Sequence, residues 1–157
     1  MRYLCCALLV FLPASVVAQD IVIIGDSLMD WNEERSIPAL LSKGLGVPVD
    51  NRSIAGAELS AGFWNRWDGL DIKAQLGSDK PRLLVMAGGG NEFSGCAPAC
   101  HTLAERLETM PDVTYVSVSD AINSNDLTLY DTDRVHPSAK GSSVMATLLA
   151  ESIRELP

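Results

Sequence analysis

The chain has 157 residues, 47% of them hydrophobic, and carries 12 Lys and Arg against 20 Asp and Glu, a net charge of −8. This length points to one domain with enough apolar material for one core. The acidic balance argues against nucleic acid or an anionic membrane surface as a partner, since both would repel it.

Met1-Arg2 opens on a positive charge, residues 4–12 are apolar, Pro13 follows, and Val16 and Ala18 precede Gln19 where a signal peptidase accepts small side chains. This pattern predicts a secretory signal peptide at 1–18, cleaved after Ala18, ahead of a domain at 19–157. The apolar run is shorter than the roughly 20 residues a spanning helix needs. The mature chain is therefore expected to carry no stable membrane span and to reside in the periplasm or outside the cell. Cys5 and Cys6 lie too early to be a lipoprotein anchor at the cleavage point. Cleavage removes one of the 12 basic residues, Arg2, and none of the 20 acids, so the net charge moves from −8 to −9.

Residues 21–25 (IVIIG), 82–87 (RLLVMA) and 113–118 (VTYVSV) are continuous apolar runs. Such runs suit strands covered on both faces. Residues 47–51 read as a short strand and 127–130 as a weak fifth. Helical patterns fall at 31–45, 69–76, 100–110 and 138–156, the last with Val144, Leu148, Leu149 and Ile153 on one side. Strands alternating with helices predict βαβ units. The expected fold is α/β, a three-layer α/β/α sandwich around a mostly parallel sheet of four to five strands. In such sheets ligands bind beyond the carboxyl ends of the strands, which directs attention to the loops after Gly25, Asn51 and Ala87.

Four segments there could carry chemistry. Gly25-Asp26-Ser27-Leu28 ends the first long strand with a hydroxyl in a tight turn, and differs from a Gly-x-Ser-x-Gly elbow because Met29 stands where the second glycine would be. Asp133-Arg134-Val135-His136-Pro137 sets a carboxylate three residues before an imidazole. A serine hydroxyl is a poor nucleophile until a base takes its proton, and the base needs a partner that fixes its tautomer. Pro137 holds His136 extended at the start of the last helix. Asp131 is an alternative partner, less well phased. Asn51-Arg52-Ser53-Ile54-Ala55-Gly56 and Gly88-Gly89-Gly90-Asn91-Glu92 follow two other strands. Their glycines permit close backbone approach, and an Asn amide can donate to a developing oxyanion. The plain alternatives are a helix-capping turn for the His segment and flexible turns for the glycines.

Taken in order, GDSL at 25–28, Gly56 in NRSIAG, Asn91 in GGNE and the Asp133-x-x-His136 pair resemble the four blocks of the SGNH hydrolases, or GDSL esterases and lipases. The blocks span nearly all of the expected mature chain. The resemblance implies a flavodoxin-like sandwich and a serine hydrolase that uses no metal and no cofactor. It implies Ser27 as nucleophile, His136 as base and Asp133 as the acid that orients it. It further implies an oxyanion hole made by the backbone N–H groups of Ser27 and Gly56 and the Asn91 side chain. Glu92 departs from the Asp often found there, and the chain is short for the family.

Cys96 and Cys100, the two cysteines outside the leader, are expected to form a disulfide in an exported protein. A metal site built with His101 is the rival, weakened because the chain has only one other His and the expected mature chain no third thiol. Trp31, Phe63, Trp64 and Trp67 suit either a pocket for an acyl group or sugar, or the core. The resulting expectation is a monomeric exported esterase acting on a small-molecule, glycan or lipid ester. Lysophospholipids, thioesters and carbohydrate O-acetyl groups are the competing substrates. Acyl transfer to a sugar or alcohol, and a non-catalytic envelope-binding module, are the alternative functions.

Overall fold

The computed structural model describes residues 6–11, 21–57, 75–88, 113–117, 122–123 and 125–156, with backbone alone for 6–11, 88, 113–115 and 117. The described strands are β1 (Cys6–Phe11), β2 (Ile21–Ile24), β3 (Val49–Asn51), β4 (Leu83–Gly88) and β5 (Val113–Ser117). The α-helices among the described residues are α1 (Ser27–Asp30), α2 (Ile37–Leu45) and α3 (Ala139–Arg154). The strands form one sheet in the order β3-β2-β4-β1-β5. β2 pairs in parallel with β3 (Ile21 opposite Val49) and with β4 (Ile21 opposite Leu83). β1 runs antiparallel to both β4 and β5, so the other four strands share one direction.

The continuous apolar strands have both faces to bury. Ile21, Ile23, Leu83, Val85 and Ala87 join Ile37 and Leu41 of α2 and Met145, Ala146 and Leu149 of α3 in one core. Their neighbours Val22, Ile24 and Leu84 face the opposite way, into a second cluster with Ala57, Leu76 and Met86. Side chains alternate across a strand, so one run feeds two cores. Helices α2 and α3 thus cover one face. The helices expected at 69–76 and 100–110 lie outside the described residues except for Gln75 and Leu76, where a helical turn is present.

Two expectations change. The helix expected over 31–45 begins only at Ile37. Ser36 caps it, accepting from the Ala39 amide at 3.4 Å, and Pro38 occupies its first turn. Upstream, Asn32 (φ 74°) and Glu33 (φ 46°) are left-handed, which breaks any continuous helix. The weak strand expected at 127–130 is instead a 3-10 turn over Leu127–Leu129. Asp126 captures the Thr128 amide at 3.0 Å, and Tyr130 makes only an isolated bridge to Pro137. A carboxylate that binds a backbone amide two residues on favours a turn over a ladder.

The remaining strand of the sheet, β1, comes from within the stretch that reads as a leader. An apolar run suits an interior strand as well as the core of a signal peptide. The junction after Ala18 lies outside the described residues. Among the described residues no helix is long and apolar enough to cross a membrane.

Candidate active site

The site begins at the carboxyl end of β2. Gly25 leaves no room for a side chain: a Cβ there would stand 2.6 Å from the Ala87 carbonyl oxygen of β4. Its backbone is held on both sides. The Gly25 amide donates to Gln75 Oε1 at 2.7 Å, and its carbonyl accepts from Gln75 Nε2 at 2.9 Å and from the Ile54 amide at 3.0 Å. The Gln75 carboxamide thus pairs as a strand backbone would. Asp26 is buried and caps α1, accepting from the Leu28 amide at 3.0 Å. Ser27 is therefore the first residue of α1, half-buried between a rigid strand and a capped helix. The first amides of a helix have no partner within it.

The imidazole arrives from a turn 109 residues away along the chain. Asp131 N–H donates to the His136 carbonyl at 2.8 Å, closing the turn, and Arg134 (φ 60°) makes the left-handed bend inside it. Asp133 organises the rest. Its Oδ1 accepts from the amides of Val135 (2.9 Å) and His136 (3.0 Å), while Oδ2 lies 2.6 Å from His136 Nδ1. On the other side of the ring, Nε2 lies 2.8 Å from Ser27 Oγ. An ionised Asp133 requires the ring proton on Nδ1, which leaves the Nε2 lone pair to accept from the serine hydroxyl. Burial pushes the Asp133 carboxyl up, but the His136 ring and the two backbone amides outweigh it and hold the group at about 2. It is a carboxylate throughout the ordinary pH range.

Sequence reasoning reached these three residues but not what surrounds them. Asp131, considered as an alternative partner for the imidazole, turns to Trp31: the indole Nε1–H donates to Asp131 Oδ2 at 3.0 Å. That bond and the Thr132 amide hold the Asp131 carboxyl below its usual range. The Trp31 ring lies flat on His136, with centroids 3.9 Å apart and planes 10° from parallel. Asn32 donates to the Pro137 carbonyl at 2.8 Å. Gln75, Trp31 and Asn32 carried no local signal for these roles, because each meets its partner at least 50 residues away.

Gly56 is half-buried in the turn after β3, where its φ of 84° favours glycine. The Ile54 amide of the same turn is bonded to Gly25, so the turn lies beside the strand that leads to Ser27. Arg52 anchors it from behind, through Asp50 (2.7 Å), Asp79 (2.6 Å) and the Leu76 carbonyl (3.1 Å). Asn91, Glu92, Cys96, Cys100, His101, Phe63, Trp64 and Trp67 lie outside the described residues. Among the described residues no group of three or more His, Cys, Asp or Glu is gathered as metal ligands would be.

No family model matches this chain, and no curated protein does. Among solved structures it is similar to a chain from Slackia heliotrinireducens described, provisionally, as an SGNH hydrolase. The two are 19% identical, and the match covers 87% of this chain and 99% of the other with a TM-score of 0.49.

Proposed function

We propose that the protein is a serine hydrolase of the SGNH type, acting on carboxylic esters through an acyl-enzyme. One observation carries this reading: the His136 ring bridges Ser27 Oγ (2.8 Å) and Asp133 Oδ2 (2.6 Å), each by a different nitrogen. That is the arrangement by which a hydroxyl passes its proton to an oriented base.

In the proposed reaction Ser27 Oγ attacks the ester carbonyl carbon as its proton passes to His136 Nε2. The carbonyl π pair moves onto oxygen. The Ser27 and Gly56 backbone N–H groups and the Asn91 side chain are assigned to that oxyanion. Collapse of the tetrahedral species breaks the bond to the alkoxy oxygen, which takes the proton from His136 and leaves as the alcohol. Water then attacks the Ser27 ester with His136 again as base, the acid departs, and Ser27 recovers its proton. The carboxylate of Asp133 supports the imidazolium in both halves.

The finer assignments belong to the same proposal: a flavodoxin-like sandwich, export after loss of residues 1–18, a Cys96–Cys100 disulfide and a monomer. The test uses a fluorophosphonate, which phosphonylates an activated serine, alongside p-nitrophenyl acetate. Labelling at Ser27 with ester turnover is expected in the wild-type protein, and Ser27→Ala is expected to lose both while keeping its circular dichroism spectrum. Turnover that survives in Ser27→Ala removes Ser27 from the role.

A further inference from the structure

One face of the Trp31 indole is covered by the His136 ring, with centroids 3.9 Å apart and planes 10° from parallel. The indole is fixed from its edge, where Nε1–H donates to Asp131 Oδ2 at 3.0 Å. Trp31 follows α1 directly as its C-terminal cap, so the element that carries the proposed nucleophile also carries the ring that covers the proposed base. The next residue, Asn32, ties this segment to the Pro137 carbonyl at 2.8 Å and to Ser142 Oγ at 3.4 Å.

A flat stack between indole and imidazole does more than hold an angle. The indole face is electron-rich and attracts a cation more strongly than a neutral ring, by an amount worth roughly a 3- to 30-fold change in equilibrium between exposed and desolvated settings. A carboxylate accepting the indole N–H pushes further electron density onto that face. We propose that Trp31, polarised by Asp131, is a positioning residue for His136 that favours its imidazolium form, and so stabilises the charge His136 acquires as Ser27 attacks. This rests on the serine-hydrolase reading. The groups facing the ring are Asp133 from its own turn, Ser27 from α1 and Trp31 from the end of α1. Asp131 reaches it through the indole. Asp26 caps the helix one residue before Ser27, and Arg134 is exposed on the imidazole's turn.

The test follows the rate of fluorophosphonate labelling of Ser27 against pH, which requires no knowledge of the natural substrate. Trp31→Leu removes the aromatic face, Trp31→Phe keeps one without the N–H, and Asp131→Asn keeps the acceptor without the charge. In Trp31→Leu the plateau rate is expected to fall roughly 3- to 30-fold. The acid limb is expected to move to lower pH by about 0.5 unit or more, because a base that holds its proton less tightly stays free further into acid. The deficit is thus largest above the limb and shrinks below it. Trp31→Phe should recover much of the plateau, and Asp131→Asn should shift the limb in the same direction as Trp31→Leu by less. An unchanged profile in Trp31→Leu overturns the inference, as does an equal loss at every pH, which packing alone would produce. Should Trp31→Leu fail to fold, the Phe and Asn variants decide by the same limb: an unmoved limb in both overturns it. A wild-type protein that takes no label at Ser27 instead overturns the serine-hydrolase reading, a separate result.

Discussion

Asp133 holds its turn and its imidazole with the same carboxylate, one oxygen for each. Asp133→Asn leaves an acceptor for the backbone amides but removes the charge that fixes the ring proton on Nδ1. Ester turnover is expected to fall on the order of 10³- to 10⁴-fold, measured as kcat for p-nitrophenyl acetate, with little change in KM. The carboxyl is depressed from 3.8 to about 2, so its contribution to stability is present above 3.8 and fades as pH falls toward 2. In milder acid Asp133 therefore keeps its charge. Ser27, Asp133 and His136 were legible because each sits in a short local pattern: a hydroxyl just past a strand, and a carboxylate three residues before an imidazole. Gln75 was not, since pairing with Gly25 across 50 residues leaves no mark in its own neighbourhood.

Among the elements, two close approaches set the geometry. Gly25 lets β2 lie against the Ala87 carbonyl, and Gly141 lets the first turn of α3 lie against the Leu129 carbonyl. Gly25→Ala is expected to destabilise the fold by about 1–3 kcal/mol, since backbone rather than a movable side chain blocks the new methyl. Gly141→Ala should act likewise. Denaturant unfolding of both variants measures this, and wild-type midpoints would contradict it. The long strands and α3 were legible from their apolar runs and one-sided stripe. The break before α2 was less so. It depends on left-handed Asn32 and Glu33, conformations imposed in part by the bond from Asn32 to Pro137, more than 100 residues distant. The strand expected at 127–130 lost to Asp126, whose short side chain competes for the backbone it precedes.

For the whole molecule, the alternation of strands and helices indicated an α/β fold, and four of the five described strands do share a direction. What periodicity could not decide is the fate of the first apolar run, which meets the demands of a transport signal and of a central strand alike. Expression through a secretory host with intact-mass measurement separates them: loss of residues 1–18 is expected, and a retained mass would remove the export assignment. The position of β1 gives that cut a structural meaning. It stands inside the sheet, hydrogen-bonded to β4 on one side and β5 on the other. Taking it away would strip two facing rows of amides and carbonyls of their partners at once. β4 and β5 point the same way and need to close a gap of about two strand spacings, near 9.6 Å, to about one, near 4.8 Å, to zip into a parallel ladder of their own. Precursor and processed protein would then share Ser27 but not a sheet, and amide exchange along Leu83–Gly88 would tell one from the other.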